Sequence, residues 1–236
     1  MTEASVGKAA STLAGEFKSA ARQQTSLLAP LERKCLNWLA KNLPEWVKPD
    51  QLTLLGFFAM LLAGVCYALA RWWPLAVLIV NLCLAINWFG DSLDGTLARV
   101  RNKQRPRYGF YVDHMIDTFG ILLIICGLAS SGYMTWTVAL AVLVVYFMIC
   151  IDVFLATYTI GTFKLSFCKI GPTELRILLA MGNIRASSHP KVHAFGNRYL
   201  LFDLGAVIAI TIMAVVLVVS VARNTLVLYR TEKISG

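Results

Sequence analysis

Long apolar stretches alternate with short polar segments along most of this chain. Six of these stretches approach the roughly twenty residues that a helix needs to cross the hydrocarbon core of a bilayer. The predicted spans are residues 52–70, 73–90, 110–132, 135–160, 172–184 and 199–222. The fifth is the shortest, so we expect it to begin in the headgroup region or to extend beyond these limits. The pattern predicts an all-α fold, a polytopic membrane bundle of six transmembrane helices.

The segment before the first span has a different pattern. In residues 26–48, leucines and tryptophans alternate with basic residues, which is typical of an amphipathic helix that lies in the membrane interface. Residues 1–25 are polar and lack the apolar core of a signal peptide, so we expect a mobile tail. The predicted division is therefore a tail, an interfacial helix, a six-span domain over residues 49–222, and a cytoplasmic tail over residues 223–236.

Composition agrees with a membrane protein. Of the 236 residues, 58% are hydrophobic and 15% are charged, and the mean hydropathy is +0.65. A soluble domain has about a quarter of its residues charged. The formal net charge of +9 is concentrated at the ends of the spans and in the loops. That placement favours anionic lipid headgroups and anionic substrates, and we expect no nucleic-acid partner.

Basic residues also predict the orientation, because they are enriched in cytoplasmic segments. The N-terminal segment, the loop 99–107, the linker 164–169 and the tail after residue 222 are all basic, and six spans place them on one side. Both termini and the site are therefore predicted to be cytoplasmic. The loop 185–198 conflicts with this orientation, since it carries three basic residues and two histidines.

Four aspartates, Asp91, Asp94, Asp113 and Asp117, stand close together in this apolar sequence. Within each pair they are three or four residues apart, which places both carboxylates on one face of a helix. Carboxylates in a membrane segment are costly and mark a functional site. Hard oxygen ligands select magnesium, manganese or calcium over zinc. Two adjacent helices would thus form a site for two divalent cations, and of these metals we expect Mg²⁺ or Mn²⁺.

The neighbouring residues suggest what such cations would bind. Gly95 and Ala98 follow the first pair and Gly109 precedes the second, so a ligand or another backbone can approach closely. Five basic residues lie in the loop between the pairs, next to where a phosphate would bind. Paired cations neutralise a pyrophosphate and assist an in-line displacement. The attacking hydroxyl needs a base, for which Asp117 and His114 are both candidates.

This pattern resembles the signature of the CDP-alcohol phosphotransferase family, Asp-x2-Asp-Gly-x2-Ala-Arg, then eight or nine residues (nine here), then Gly-x3-Asp-x3-Asp. The eight matching positions are Asp91, Asp94, Gly95, Ala98, Arg99, Gly109, Asp113 and Asp117. The resemblance covers 27 residues with fixed identities at fixed spacing. The segment 49–53, before the first predicted span, also resembles the family.

The resemblance implies an enzyme of phospholipid synthesis. A CDP-linked donor would bind with its pyrophosphate on the metal ions, an acceptor hydroxyl would attack the β-phosphorus, and CMP would leave. By the same resemblance all four aspartates bind metal, with Asp117 as the usual base. Gly95, Ala98, Arg99 and Gly109 would form the CMP pocket. The family also implies that one of the two substrates is a lipid and that the protein is a homodimer.

The donor is left open between CDP-diacylglycerol and a CDP-aminoalcohol. His114 and the sequence Pro172-Thr173-Glu174 resemble the members that use CDP-aminoalcohols. One hypothesis is that Glu174 orients His114 as the base; the alternative is that His114 only bonds between helices. Arg176 either reaches a phosphate of the acceptor or extends its side chain to the interface.

Two other classes of protein remain as alternatives. One is an aromatic prenyltransferase-like enzyme, which also holds magnesium and a pyrophosphate with intramembrane aspartates. The other is a small cation-coupled transporter, although we find no internal repeat of the acidic motif. Outside the motif, Asp152 and Asp203 are expected to pair between helices with Arg or Tyr partners.

Overall fold

The computed structural model describes residues 28–161, 172–194 and 196–232. In these ranges the chain forms seven helices and one antiparallel hairpin. The elements are α1 (Ala29–Asn42), α2 (Pro49–Leu69), α3 (Ala76–Val100), α4 (Pro106–Ser131), α5 (Trp136–Ile160), α6 (Pro172–Ser188), β1 (Lys191–Ala194), β2 (Asn197–Leu200) and α7 (Leu201–Thr231). The predicted helical bundle is confirmed. The predictions for residues 1–25, for the linker 164–169 and for the last four residues of the C-terminal tail lie outside the described residues.

Five of the described helices, α2, α3, α4, α5 and α7, are long and apolar enough to cross a membrane. The protein is therefore an integral membrane protein. The predicted fifth span forms α6, which has 17 residues and is not among the five. At 1.5 Å per residue, α6 is roughly 25 Å long, shorter than the ~30 Å hydrocarbon core. The count of six spans stays a prediction.

Helices α3 and α4 extend further than the apolar pattern predicted. The second span was expected to end at residue 90, but α3 continues to Val100 and carries Asp91 and Asp94. The third span was expected from residue 110, but α4 begins at Pro106, because proline is well suited to the first position of a helix. Both aspartate pairs therefore lie on regular helices.

Helices α2, α3 and α4 form the central layer of the bundle, and glycines let them touch backbone to backbone. A Cβ atom at Gly90 would lie 2.5 Å from the carbonyl oxygen of Leu52 on α2. A Cβ atom at Gly64 would lie 2.6 Å from the carbonyl oxygen of Leu123 on α4. Small residues at such crossings are what bring membrane helices into close van der Waals contact. The relative positions of these helices are thus set by backbone atoms.

Helix α6 runs antiparallel to α3. Asn183, near the end of α6, donates to Asn81 near the start of α3 at 2.8 Å. Arg176, near the start of α6, donates to Asn87 further along α3 at 2.9 Å. Asn183 is fully buried and also accepts a 2.7 Å hydrogen bond from Tyr67 on α2. This buried chain of polar groups holds α6 against the central layer.

Helices α5 and α7 form a second pair, joined by side chains. Asp152 on α5 accepts hydrogen bonds from Ser220 at 2.5 Å and Asn224 at 3.4 Å on α7. Asp203, in the first turn of α7, accepts one from the backbone N–H of Thr135 at 2.8 Å. Both aspartates do link helices, but the partners are hydroxyl, amide and backbone groups. The expectation of Arg or Tyr partners was wrong for the described residues, because Asp152 faces small polar side chains on α7 and Asp203 faces the backbone before α5.

Helix α1 lies across the site end of the bundle. Its buried residues Leu36 and Ala40 pack in one cluster with Leu93 and Leu97 of α3, while Trp38 is 64% exposed. An amphipathic helix is thus present, at Ala29–Asn42 within the predicted 26–48. Its placement in the membrane interface stays a prediction.

The turn between α1 and α2 is held by Arg101, which follows the last residue of α3. Its guanidinium donates to the carbonyl oxygens of Leu43, Pro44 and Val47 at 3.0, 2.9 and 2.5 Å. These bonds satisfy carbonyl groups just after the end of α1, where the chain leaves the helix. One base of the loop 99–107 therefore has a structural role.

Candidate active site

Three of the four predicted aspartates converge. Asp91 on α3 and Asp113 and Asp117 on α4 each offer a carboxylate oxygen, and these oxygens lie within 4.8 Å of one another. All three side chains are half-buried. Like charges at this separation repel, so the arrangement is suited to a bound cation. The donor atoms are carboxylate oxygens throughout, which fits Mg²⁺ or Mn²⁺.

Asp94, the fourth predicted aspartate, has a different environment. Its carboxylate accepts a 2.5 Å hydrogen bond from the Thr53 hydroxyl on α2 and a short one from the backbone N–H of Gly95. Thr53 thereby orients Asp94 at the cavity. Sequence reasoning did not connect Thr53 with Asp94, because the two residues are 41 positions apart.

The close crossing of α2 and α3 lies directly before Asp91. A Cβ atom at Gly56 would be 3.4 Å from the backbone nitrogen of Asp91, and the Gly90 position is in contact with α2. Asn87, one turn earlier, donates to the carbonyl oxygen of Gly56 at 3.1 Å. The backbone that carries Asp91 is therefore held against α2 both by close packing and by a hydrogen bond.

Arg176 reaches this site from α6. Its Nη2 forms a 2.5 Å ion pair with Asp91 and its Nε donates to Asn87. The side chain is 14% exposed, and its buried Nη1 has no hydrogen-bond partner among the described residues. Of the two interpretations from the sequence, the one that sends Arg176 to the interface was wrong, because an anionic partner holds the guanidinium inside the bundle. Arg176 offsets part of the negative charge of the cluster.

His114 follows Asp113 and is held by aromatic rings. Its Nδ1 lies 2.7 Å from the carbonyl oxygen of Phe110. The imidazole stacks on the Phe110 ring with centroids 4.2 Å apart and meets the edge of Phe154 at 5.4 Å. Glu174, its predicted orienting partner, accepts a 3.1 Å hydrogen bond from the backbone N–H of Leu28. That Glu174 orients His114 stays a prediction.

A cavity of about 1050 Å³ opens beside the cluster. It is large enough for a nucleotide with a pyrophosphate, since ligand pockets span ~300–1,000 Å³. The predicted site residues that line it are Asp91, Asp94, Gly95, Ala98, Arg99, Gly109, Asp113, His114 and Arg176. A Cβ atom at Gly109 would meet nothing within 4 Å, and one at Gly95 would meet only Nη1 of Arg99 at 3.6 Å. The space beside both glycines is open.

The cavity also has a basic rim, contributed by Arg33, Lys48, Arg99, Arg101, Lys103 and Arg105. Arg105 donates to Asp50 at 2.6 Å and lies 4.2 Å above the Tyr108 ring. The hydrogen bond to Asp50 raises the pKa of the Arg105 guanidinium above its ordinary value. The basic loop therefore fastens neighbouring segments and brings positive side chains to the cavity.

The fold and the site together define a helical integral membrane protein with a carboxylate cluster at one end. A model of the family described as CDP-alcohol phosphatidyltransferase matches residues 46–229. That match covers most of the chain, and the chain belongs to this family. The resemblance inferred from the motif is confirmed.

Curated relatives are similar to parts of the chain. An archaetidylinositol phosphate synthase from Pyrococcus horikoshii is 30% identical over 125 residues, 52% of this chain and 63% of the relative. A cholinephosphotransferase 1 from Xenopus laevis is 28% identical over 167 residues, 64% of this chain and 39% of the relative. A cholinephosphotransferase 1 from Gallus gallus is 31% identical over 117 residues. The chain thus spans less than two thirds of each of these relatives.

Proposed function

We propose that this protein transfers a substituted phosphate from a CDP-linked donor to the hydroxyl group of an acceptor alcohol, with release of CMP. One of the two substrates is a lipid, which reaches the site from the bilayer. The observation that carries the proposal is the convergence of Asp91, Asp113 and Asp117 beside a cavity of nucleotide size. Family membership supports the same reaction.

Two divalent cations, Mg²⁺ or Mn²⁺, fit the donor set of the site. We propose that Asp91, Asp113 and Asp117 hold them, together with Asp94, which Thr53 orients. When bound, such ions neutralise the pyrophosphate and stabilise the charge that develops during displacement. The protein itself fixes the positions of the carboxylates, through the close contacts that α2 makes with α3 and with α4.

The CMP part of the donor is placed beside Gly95, Ala98, Arg99 and Gly109. Open space next to both glycines supports this placement, since a side chain at either position would enter the cavity. Arg99 lines the same cavity and brings a positive charge towards the phosphates. In the transfer step the acceptor oxygen forms a bond to the β-phosphorus, the bond from that phosphorus to CMP breaks, and the hydroxyl proton passes to a base.

We propose His114 as this base, with Asp117 as the alternative. An oxygen acceptor 2.7 Å from Nδ1 requires a proton on that nitrogen. In the neutral imidazole Nε2 then carries the lone pair and can accept a proton. An aspartate that binds a metal ion is a weaker base, which also favours His114. Replacement His114→Gln, with Phe154→Leu as the control for ring packing, separates the two.

If His114 is the base, His114→Gln lowers kcat for CMP release by at least about 100-fold, the usual contribution of general base catalysis. Phe154→Leu should then retain most of the activity. Near-normal turnover by His114→Gln would assign the proton transfer to Asp117.

Six spans with both termini and the site in the cytoplasm remain our proposed topology. Support comes from α6, which runs antiparallel to α3, as odd and even spans must. Asp203 also ties the start of α7 to Thr135 at the start of α5, which puts both starts at the same end of the bundle. Single cysteines at residue 103 and residue 196, labelled from one side of sealed vesicles, would test the sidedness. We expect a homodimer, which light scattering on the detergent-solubilised protein would measure.

The donor and the acceptor are best assigned by activity. The two kinds of relative carry different groups in their names, inositol phosphate and choline. The purified protein in liposomes should be given CDP-diacylglycerol with polar alcohols, and CDP-choline or CDP-ethanolamine with diacylglycerol. We expect CMP and one lipid product, detected by mass spectrometry, with Mg²⁺ or Mn²⁺ and not with EDTA. If no donor yields CMP although metal binds, the proposal fails and a cation transporter is favoured.

A further inference from the structure

Two carboxylates join the first turns of α1 and α6 in opposite directions. Glu32 on α1 accepts a 2.8 Å hydrogen bond from the hydroxyl of Thr173 on α6. Glu174 on α6 accepts a 3.1 Å hydrogen bond from the backbone N–H of Leu28, next to the start of α1. Each helix thus supplies the acceptor for a donor on the other. We call these four residues the α1–α6 interlock.

Glu32 also reaches α3. The same oxygen, Oε1, accepts hydrogen bonds from the Trp88 indole N–H at 2.8 Å and from the Ser92 hydroxyl at 3.3 Å. This oxygen therefore accepts from two donors on α3 and from one on α6. Ser92 directly follows Asp91, so Glu32 connects α1, α3 and α6 beside the carboxylate cluster.

The position of α6 matters because of Arg176. Arg176 is three residues after Thr173, about one helical turn, and its guanidinium holds Asp91 at 2.5 Å. A shift of the first turn of α6 would carry this guanidinium away from Asp91. The carboxylate would then lose its cationic partner and a fixed rotamer in a cluster with Asp113 and Asp117.

We propose that Glu32 is a positioning residue, which holds the first turn of α6 so that Arg176 fixes the carboxylate of Asp91. The proposal rests on the proposed function of that carboxylate cluster. Glu32 acts through Thr173 and Arg176, and it takes no part in bond making. Helix α1 thereby becomes part of the structure that sets the geometry of the site.

A double-mutant cycle tests whether Glu32 acts through Arg176. We expect Glu32→Ala to lower kcat for CMP release about tenfold in the wild-type background and less than about twofold in an Arg176→Met background. Glu32→Gln, which keeps an oxygen acceptor, should recover most of the loss. The proposal would be overturned if Glu32→Ala lowered kcat by the same factor in both backgrounds. A general loss of stability, unlike a positioning role, would act in this way.

Hydrogen exchange tests the same proposal without activity. In Glu32→Ala we expect amides of residues 176–180 to exchange about tenfold faster, while those of residues 181–188 are unchanged, since opening would be local. Unchanged exchange at residues 176–180 would overturn the positioning role. If the wild-type protein releases no CMP from any donor, the proposed function fails, and the exchange result still decides whether Glu32 holds α6.

Discussion

The central layer, α2 with α3 and α4, and the second pair, α5 with α7, are held together in different ways. In α2, α3 and α4, backbones touch at glycines, and 44% of the most apolar window of α2 and of α3 is buried inside the protein. In α7 the corresponding fraction is 6%, and α5 and α7 are linked through Asp152, Asp203 and a small apolar cluster. The carboxylate cluster lies on α3 and α4, in the tightly packed layer.

This difference shows where precision is needed. Cations held by several carboxylates require ligand atoms at fixed separations, and a backbone-to-backbone crossing leaves those atoms little freedom. Helices α5 and α7 present apolar residues along most of their length, which suits contact with lipid. We therefore expect substitutions in the central layer to affect activity and stability strongly. Matched substitutions in the α5–α7 pair should have small effects.

The largest expected effect is on activity. Asp113→Asn removes one charge from the cluster at nearly constant volume and should lower CMP release at least about 100-fold, because metal ions contribute several kcal/mol to such reactions. Asp152→Asn is the matched change in the α5–α7 pair and should stay within about threefold of wild type, since in the described part of the chain its carboxylate binds Ser220 and Asn224, away from the cluster. If both variants lost CMP release to a similar extent, the central layer and the α5–α7 pair would not differ in function.

The next effect is on stability. Gly64→Ala puts a methyl group 2.6 Å from the Leu123 carbonyl oxygen, so α2 and α4 must separate. We expect a loss of about 1–3 kcal/mol in the free energy of unfolding, measured in mixed detergent. In the α5–α7 pair, a Cβ atom at Gly205 would meet nothing within 4 Å. Gly205→Ala should therefore stabilise α7 by about 0.5–1 kcal/mol. If both variants changed the free energy of unfolding by the same small amount, α2 and α4 would not be in close contact.

The smallest effect is expected from the hydrogen bond between Ser220 on α7 and Asp152 on α5. Ser220→Ala removes the 2.5 Å hydrogen bond to Asp152 while Asn224 remains as a donor. Interhelical hydrogen bonds in membranes contribute about 0.6 kcal/mol on average. We expect a loss of that order in unfolding free energy and unchanged CMP release. A loss above about 2 kcal/mol would show that this link stabilises α5 and α7 more than their apolar contacts do.

Much of this arrangement could be predicted from the sequence. The spacing of the aspartates placed them on helix faces, and the motif indicated both the family and the residues around the cavity. These are local patterns, in which every partner is within a few residues or belongs to a fixed signature. Whether α6 spans the membrane was harder to predict, because a helix of 17 residues with Glu174 and Arg176 in its first turns is short and partly charged.

The supporting contacts could not be predicted, because they join residues far apart in the chain. Glu32 and Thr173 are 141 residues apart, and Arg176 and Asp91 are 85 apart. Nothing in the neighbourhood of Glu32 distinguishes it from other acidic residues of an amphipathic helix. Such pairs depend on the antiparallel packing of α6 on α3, which only the folded chain shows.

Cation binding tests the central claim most directly. Electron paramagnetic resonance of Mn²⁺ titrated into the detergent-solubilised protein counts bound ions without any substrate. We predict that wild type and Asp152→Asn bind Mn²⁺ equally, and that Asp113→Asn loses this binding. Equal Mn²⁺ binding by all three proteins, or none by wild type, would contradict a cation site at Asp91, Asp113 and Asp117.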